Sequence, residues 1–155
     1  MKSDTFRIYL DSENPTTHTE SSGEYSYTVR LPSKGNTYID YCLYVDDFNV
    51  CLKGLTTSSV LVKLNIGQYN SFNSQTGGNN QVIATIFNPN QASGRTVDLS
   101  LNYQNSTVPY LINTLPQSLN VSLVDIDNTG IDFSNANNYW NLNLRVEAII
   151  SKCNC

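Results

Sequence analysis

The chain has 155 residues, 39% hydrophobic and 14% charged, with 9 basic and 13 acidic side chains for a net charge of −4. A chain of this length buries roughly two-thirds of the surface its unfolded form exposes, enough for one core without metal or disulfide staples, which argues against disorder. Its basic residues are scattered from Lys2 to Lys152 with no cluster to hold phosphates, which argues against direct nucleic-acid binding.

Residues 1–7 carry Lys2 but no apolar stretch behind it, so no secretory signal peptide is expected; no apolar run reaches about 18 residues, so no membrane span is expected either. From there two-residue alternation dominates, and the chain reads as all-β. Residues 6–10 form a first strand. Residues 11–23, polar and interrupted by Pro15, read as a loop or an extended arm that could order on a neighbour. Tyr25, Tyr27, Val29 and Leu31 are the inward face of a second strand, closed by Pro32 and Gly35. A third runs over 38–52, with Ile39, Tyr41, Leu43 and Val45 inward until the phase slips at Asp46-Asp47 and Phe48, Val50 and Leu52 take over; such a slip predicts a β-bulge or a bend.

Val60, Val62, Leu64 and Ile66 predict the fourth strand, with a long loop over 70–80 after it. Residues 82–87 are the fifth, Val97, Leu99, Leu101 and Tyr103 mark the sixth, and residues 109–115 the seventh. Leu119, Val121, Leu123 and Val124 give the eighth, residues 127–138 a second long loop, and Trp140, Leu142, Leu144, Val146 and Ala148 the last. Eight or nine strands joined by connections of unequal length predict a two-sheet antiparallel sandwich with Greek-key crossings, one domain over 1–155 that ends in a short tail at 151–155.

Little in this chain offers catalysis. The lone His18 sits in a polar segment, where a general base lacks rigid placement. Asp46 and Asp47 point to opposite faces of a strand and cannot flank one glycosidic bond unless the bulge re-aims one of them. Asp125-Ile126-Asp127-Asn128-Thr129-Gly130-Ile131-Asp132 opens like a calcium loop, but Ala136 stands where the bidentate Glu belongs; a turn or an unusual ion site are both compatible with it. Cys42, Cys51, Cys153 and Cys155 lack zinc-ligand spacing, leaving free thiols, one or two disulfides, or metal as readings. Asn105 and Asn120 head glycosylation sequons that read as chance matches in an Asn-rich chain.

Two segments taken together carry a resemblance. Gly23-Glu24-Tyr25-Ser26-Tyr27-Thr28-Val29-Arg30-Leu31-Pro32 leads into Tyr38-Ile39-Asp40-Tyr41-Cys42-Leu43-Tyr44-Val45. Leu115-Pro116-Gln117-Ser118-Leu119-Asn120-Val121-Ser122-Leu123-Val124-Asp125 is followed by Trp140-Asn141-Leu142-Asn143-Leu144-Arg145-Val146-Glu147. The pairing resembles the single jelly-roll minor capsid and vertex (penton) proteins of large icosahedral double-stranded DNA viruses, and related virophage capsid proteins. Cys153-Asn154-Cys155 lies outside that pattern.

The resemblance implies an eight-stranded roll of two four-stranded sheets, with no enzymatic activity and no cofactor, catalytic or metal site. It also implies a virion protein assembled in the host cytoplasm, with major and minor capsid proteins and copies of itself as partners. The same architecture hosts other functions, so a carbohydrate-binding or adhesin-like sandwich stands as the alternative. In that alternative Tyr69, Tyr103 or Trp140 would stack on sugar rings, although the alternation places Trp140 in the core. A cupin-type enzyme would need several metal-binding His, and the chain has one.

Overall fold

A computed structural model of the chain describes residues 3–29, 38–53, 57–65, 82–88, 96–102, 110–112 and 117–150. Ten strands are present among the described residues: β1 (Ser3–Asp11), β2 (Thr17–Thr19), β3 (Glu24–Thr28), β4 (Tyr38–Lys53), β5 (Ser59–Leu64), β6 (Val82–Phe87), β7 (Thr96–Asn102), β8 (Tyr110–Ile112), β9 (Ser118–Val124) and β10 (Tyr139–Ile150). The helical content of the described residues is one 3₁₀ turn, Glu20–Ser22. No helix among them is long and apolar enough to cross a membrane.

One sheet has the order β1-β10-β4-β7, with β8 also beside β4, and the other has the order β2-β3-β9-β5-β6. Setting aside the short β2 and β8, the remaining eight strands pair in a nested way: β1 with β10, β3 with β9, β4 with β7 and β5 with β6, all antiparallel. Folding such a nest so that its pairs alternate between two sheets makes a jelly roll, joined within the sheets by β10 against β4 and β9 against β5. The expected all-β sandwich is therefore observed, with each implied four-stranded sheet enlarged by one short strand.

Alternation explains why these residues form these strands. In β10, Trp140, Leu142, Leu144, Val146 and Ala148 are buried while Asn141, Asn143, Arg145 and Glu147 lie on the outer face. In β9, Leu119, Val121 and Leu123 point into the same core. The predicted phase slip is a β-bulge: Asn143 pairs with Asp47 and Leu144 with Val45, leaving Asp46 without a partner across the ladder. The extra residue moves the inward set from Leu43 and Val45 to Phe48, Val50 and Leu52. Strand β3 ends at Thr28, the Val29 N–H after it bonds to the Gln117 carbonyl at 2.9 Å, and Leu31, Pro32 and Gly35 lie outside the described residues. Ile66, Tyr69, Tyr103, Asn105, Cys153, Cys155 and the expected loop at 70–80 lie outside the described residues.

Of the two readings of residues 11–23, a loop or an extended arm, the described residues show the loop, carrying β2 and the 3₁₀ turn and pinned to the roll. Thr17, His18 and Thr19 pair with Ser26, Tyr25 and Glu24. The Glu20 carbonyl accepts from Phe133 N–H at 2.8 Å, and the Gly23 carbonyl accepts from Leu123 N–H at 2.9 Å. These bonds are made by backbone, so the polar side chains remain in water and composition carries no trace of them.

Between the sheets, Trp140 is fully buried and meets Tyr25 and Tyr27 edge to face, with ring centroids 5.0 and 6.1 Å apart. The Tyr27 hydroxyl donates to the Asp11 carbonyl, fixing the end of β1 over this cluster. Burial, and secondarily the Asp11 charge, pushes the Tyr27 phenol far up, and burial raises Tyr25 as well. A raised phenol keeps its full stability below the ordinary phenol value, and that stability is lost as pH rises past it. Thermal midpoints should accordingly hold to about pH 9 and fall above about pH 10. Tyr27→Phe is expected to lower stability at neutral pH by about 1 kcal/mol and to flatten the alkaline fall. An alkaline limb identical in the variant would assign that fall to other groups.

Candidate functional site

The ligand-like string at 125–132 folds as a turn that closes on itself. Asp125 Oδ1 accepts from the N–H groups of Asp127 and Thr129, each at 2.9 Å, and the Asp125 N–H donates to the Thr129 carbonyl at 2.9 Å. Asn128 takes the left-handed conformation at φ +65°, and its side-chain oxygen accepts from Lys63 Nζ at 2.7 Å. Gly130 then bridges back to Val124, and Ile131 N–H bonds to the Leu123 carbonyl at 2.9 Å. Asp132 Oδ1 accepts from Ser134 N–H at 2.8 Å; the Ser134 hydroxyl and N–H together hold this carboxyl below the usual range.

This turn walls a cleft of about 550 Å³ at one end of the sandwich. The opposite wall is the end of β4, Leu52 and Lys53, with Thr57 beyond. Asn138 ties the walls together, its Oδ1 accepting from Lys53 N–H at 3.0 Å and its Nδ2 donating to the Asp132 carbonyl at 3.4 Å. Sequence reasoning found Asp125 and Asp132 but missed Lys53, Asn135 and Asn138, which are ordinary polar residues until the fold brings them to one cleft.

As a cation site the turn is poor. Among the described residues no three His, Cys, Asp or Glu side chains converge for a metal. One oxygen of each carboxylate is already held by backbone N–H groups, whereas calcium asks for about six to eight oxygens. Melting midpoints with and without a strong chelator are expected to agree within about 1 °C, because backbone donors already hold the turn. A large fall on chelation would return a metal to this loop.

The remaining sequence candidates are separate. His18 stands beside a shallow trough of about 360 Å³ across β2, β3 and β9. Its ring stacks on Tyr25 with centroids 6.2 Å apart and lies 3.6 Å from Glu20 Oε1. No hydroxyl or thiol among the described residues hydrogen-bonds it, so the nucleophile–base unit is missing there.

Asp46 and Asp47 do share the outer face, since the bulge re-aims one of them, but both carboxylates are occupied. Asp46 receives Arg7 Nη1 at 2.7 Å and Arg145 Nε at 3.3 Å, while Asp47 receives Asn143 Nδ2 at 2.6 Å. Arg145 also pairs with Glu147 at 3.0 Å and lies 4.2 Å from the centre of the Tyr44 ring.

Cys42 and Cys51 are free thiols, partly buried and nine positions apart on β4. Burial, then the Glu147 and Asp40 charges, pushes the Cys42 thiol up, away from the reactive thiolate. Asn120 lies within β9, its side-chain oxygen accepting from the Ser26 hydroxyl. Trp140, fully buried, presents no face to a sugar.

No family model and no curated protein matches the sequence. Among solved structures, the chain is similar to one in the X-ray structure of tomato aspermy virus, with 13% identity over 97% of this chain and 81% of that one and a TM-score of 0.31. It is also similar to one in the full particle of Israeli acute paralysis virus heated to 63 degrees, with 12% identity over 97% of this chain and 72% of that one and a TM-score of 0.23. Both likenesses are weak, and the jelly-roll assignment rests on the strand order alone.

Proposed function

We propose that this chain is a non-enzymatic structural subunit of an icosahedral capsid, a minor capsid or penton protein built as one jelly-roll domain over residues 1–155. The observation that carries the reading is the nested pairing of its strands. The segments that resemble single jelly-roll capsid proteins fall on strands that pair within it: β3 with β9, and β4 with β10. Surface chemistry supports it. The paired carboxylates Asp46 and Asp47 are held by guanidinium and amide donors, and the low charge of the chain suits packing against neighbouring capsid proteins and copies of itself. Large icosahedral double-stranded DNA viruses are the class that the resemblance favours, with the protein in the virion after assembly in the host cytoplasm.

Mass spectrometry of purified virions is the test. The chain should be recovered at a fixed, low copy number relative to the major capsid protein. Abundance in infected cells together with absence from virions would refute the structural role.

A further inference from the structure

We propose that the cleft between the end of β4 and the β9–β10 connection binds a small neutral saccharide, with Asp125, Asp132 and Asn135 receiving it from the loop and Lys53 from the strand. This inference is independent of the capsid role. The cleft volume, about 550 Å³, lies in the range of small-molecule sites, roughly 300–1,000 Å³.

Its chemistry selects the ligand class. An apolar ligand would strip water from two carboxylates and an ammonium without replacing their hydrogen bonds, a heavy cost. A phosphate or other anion meets two carboxylates against one ammonium. A cation finds too few oxygens, because one oxygen of each carboxylate is already held by backbone N–H groups. Sugar hydroxyls both donate and accept. They can give protons to the second oxygens of Asp125 and Asp132 and accept from the Asn135 amide and the Lys53 ammonium.

Preorganisation supports the same assignment. The backbone bonds to Asp125 and Asp132 fix both side chains before any ligand arrives, and Asn138 fixes the spacing of the two walls. Asp132, held below the usual carboxylate range by Ser134, remains an acceptor at neutral pH.

Saturation-transfer NMR on the full chain with maltose, lactose, cellobiose and N,N′-diacetylchitobiose at millimolar concentration tests this. At least one of the four should show protein-dependent transfer. Asp132→Asn keeps an oxygen for the Ser134 N–H, and Asn135→Ala alters an exposed residue, so both variants should melt near the parent. Each should weaken binding by about fivefold or more, the effect of losing one ligand hydrogen bond. The proposal is overturned if none of the four sugars shows transfer, or if transfer persists undiminished in both folded variants. Calcium chloride raising the melting midpoint of the parent but not of Asp132→Asn would also overturn it, assigning the cleft to a cation.

Discussion

Gly130→Ala is expected to destabilise the roll by more than about 3 kcal/mol, lowering the melting midpoint by roughly 10 °C or leaving the chain insoluble. The cause is a backbone-to-backbone approach between two distant segments. A Cβ on Gly130 would be driven into the Ser22 carbonyl, whose carbon would lie 2.8 Å away and whose oxygen would be nearer still. Ser22 cannot retreat easily. It ends the 3₁₀ turn, whose Glu20 carbonyl is bonded to Gly23 and Phe133, and the next residue, Gly23, is clasped in turn. At φ +66° Gly23 occupies the left-handed region, and a Cβ there would lie 2.7 Å from the carbonyl oxygens of both Leu123 and Ile131. Each glycine is therefore the place where one segment lies flat against the other. Thr129→Ala, at an exposed neighbour that bonds Asp125 through its own backbone N–H and carbonyl, should stay within about 0.5 kcal/mol of the parent. Urea titration of the three chains decides the matter; a Gly130→Ala midpoint equal to that of Thr129→Ala would mean that the clasp opens freely.

This clasp also shows where the sequence was legible and where it was not. Side-chain alternation marked the core faces of β4, β9 and β10, and the break at Asp46-Asp47 marked the bulge, because burial acts on side chains and leaves its period in them. Residues 11–23 have no such period. Their attachment runs through the carbonyls of Glu20 and Gly23 to amides about a hundred positions later, and a polar segment held by its backbone has the composition of one held by nothing. The string from Asp125 to Asp132 misled in a related way. An aspartate that caps its own turn and an aspartate that ligates calcium both stand before small, polar and glycine residues, since both need a tight backbone curl. Within the candidate cleft, Asp125 and Asp132 were readable as a local motif. Lys53 was not, for it reaches the cleft only after β4 and β9 are placed in different sheets.

Asp46→Ala carries the second large expected effect, a loss of about 2–3 kcal/mol. The bulge puts an extra residue on the outer face of the sheet in the middle of its longest strand, and the ladder leaves that residue unpaired. Arg7 from β1 and Arg145 from β10 converge on its carboxylate, so one side chain links three strands, β1, β10 and β4, which lie side by side. The Asp46 side chain is only 4% exposed, so its removal strips Arg7 of its carboxylate and leaves Arg145 with Glu147 alone beside it. The loss should fall short of the 3–5 kcal/mol of a fully buried pair, because Arg7 is 54% exposed and can turn to water. Arg145, at 21%, has less freedom and also holds Glu147 and the Tyr44 ring. Arg7→Ala should therefore cost about 1 kcal/mol or less and Arg145→Ala more. Asp46→Asn, which preserves shape and one acceptor, should fall between the parent and Asp46→Ala. A double-mutant cycle on Asp46 and Arg145 should give a coupling of about 1 kcal/mol or more. A coupling near zero would mean that the bulge is held by the ladder on either side of it, with the ion pairs contributing nothing.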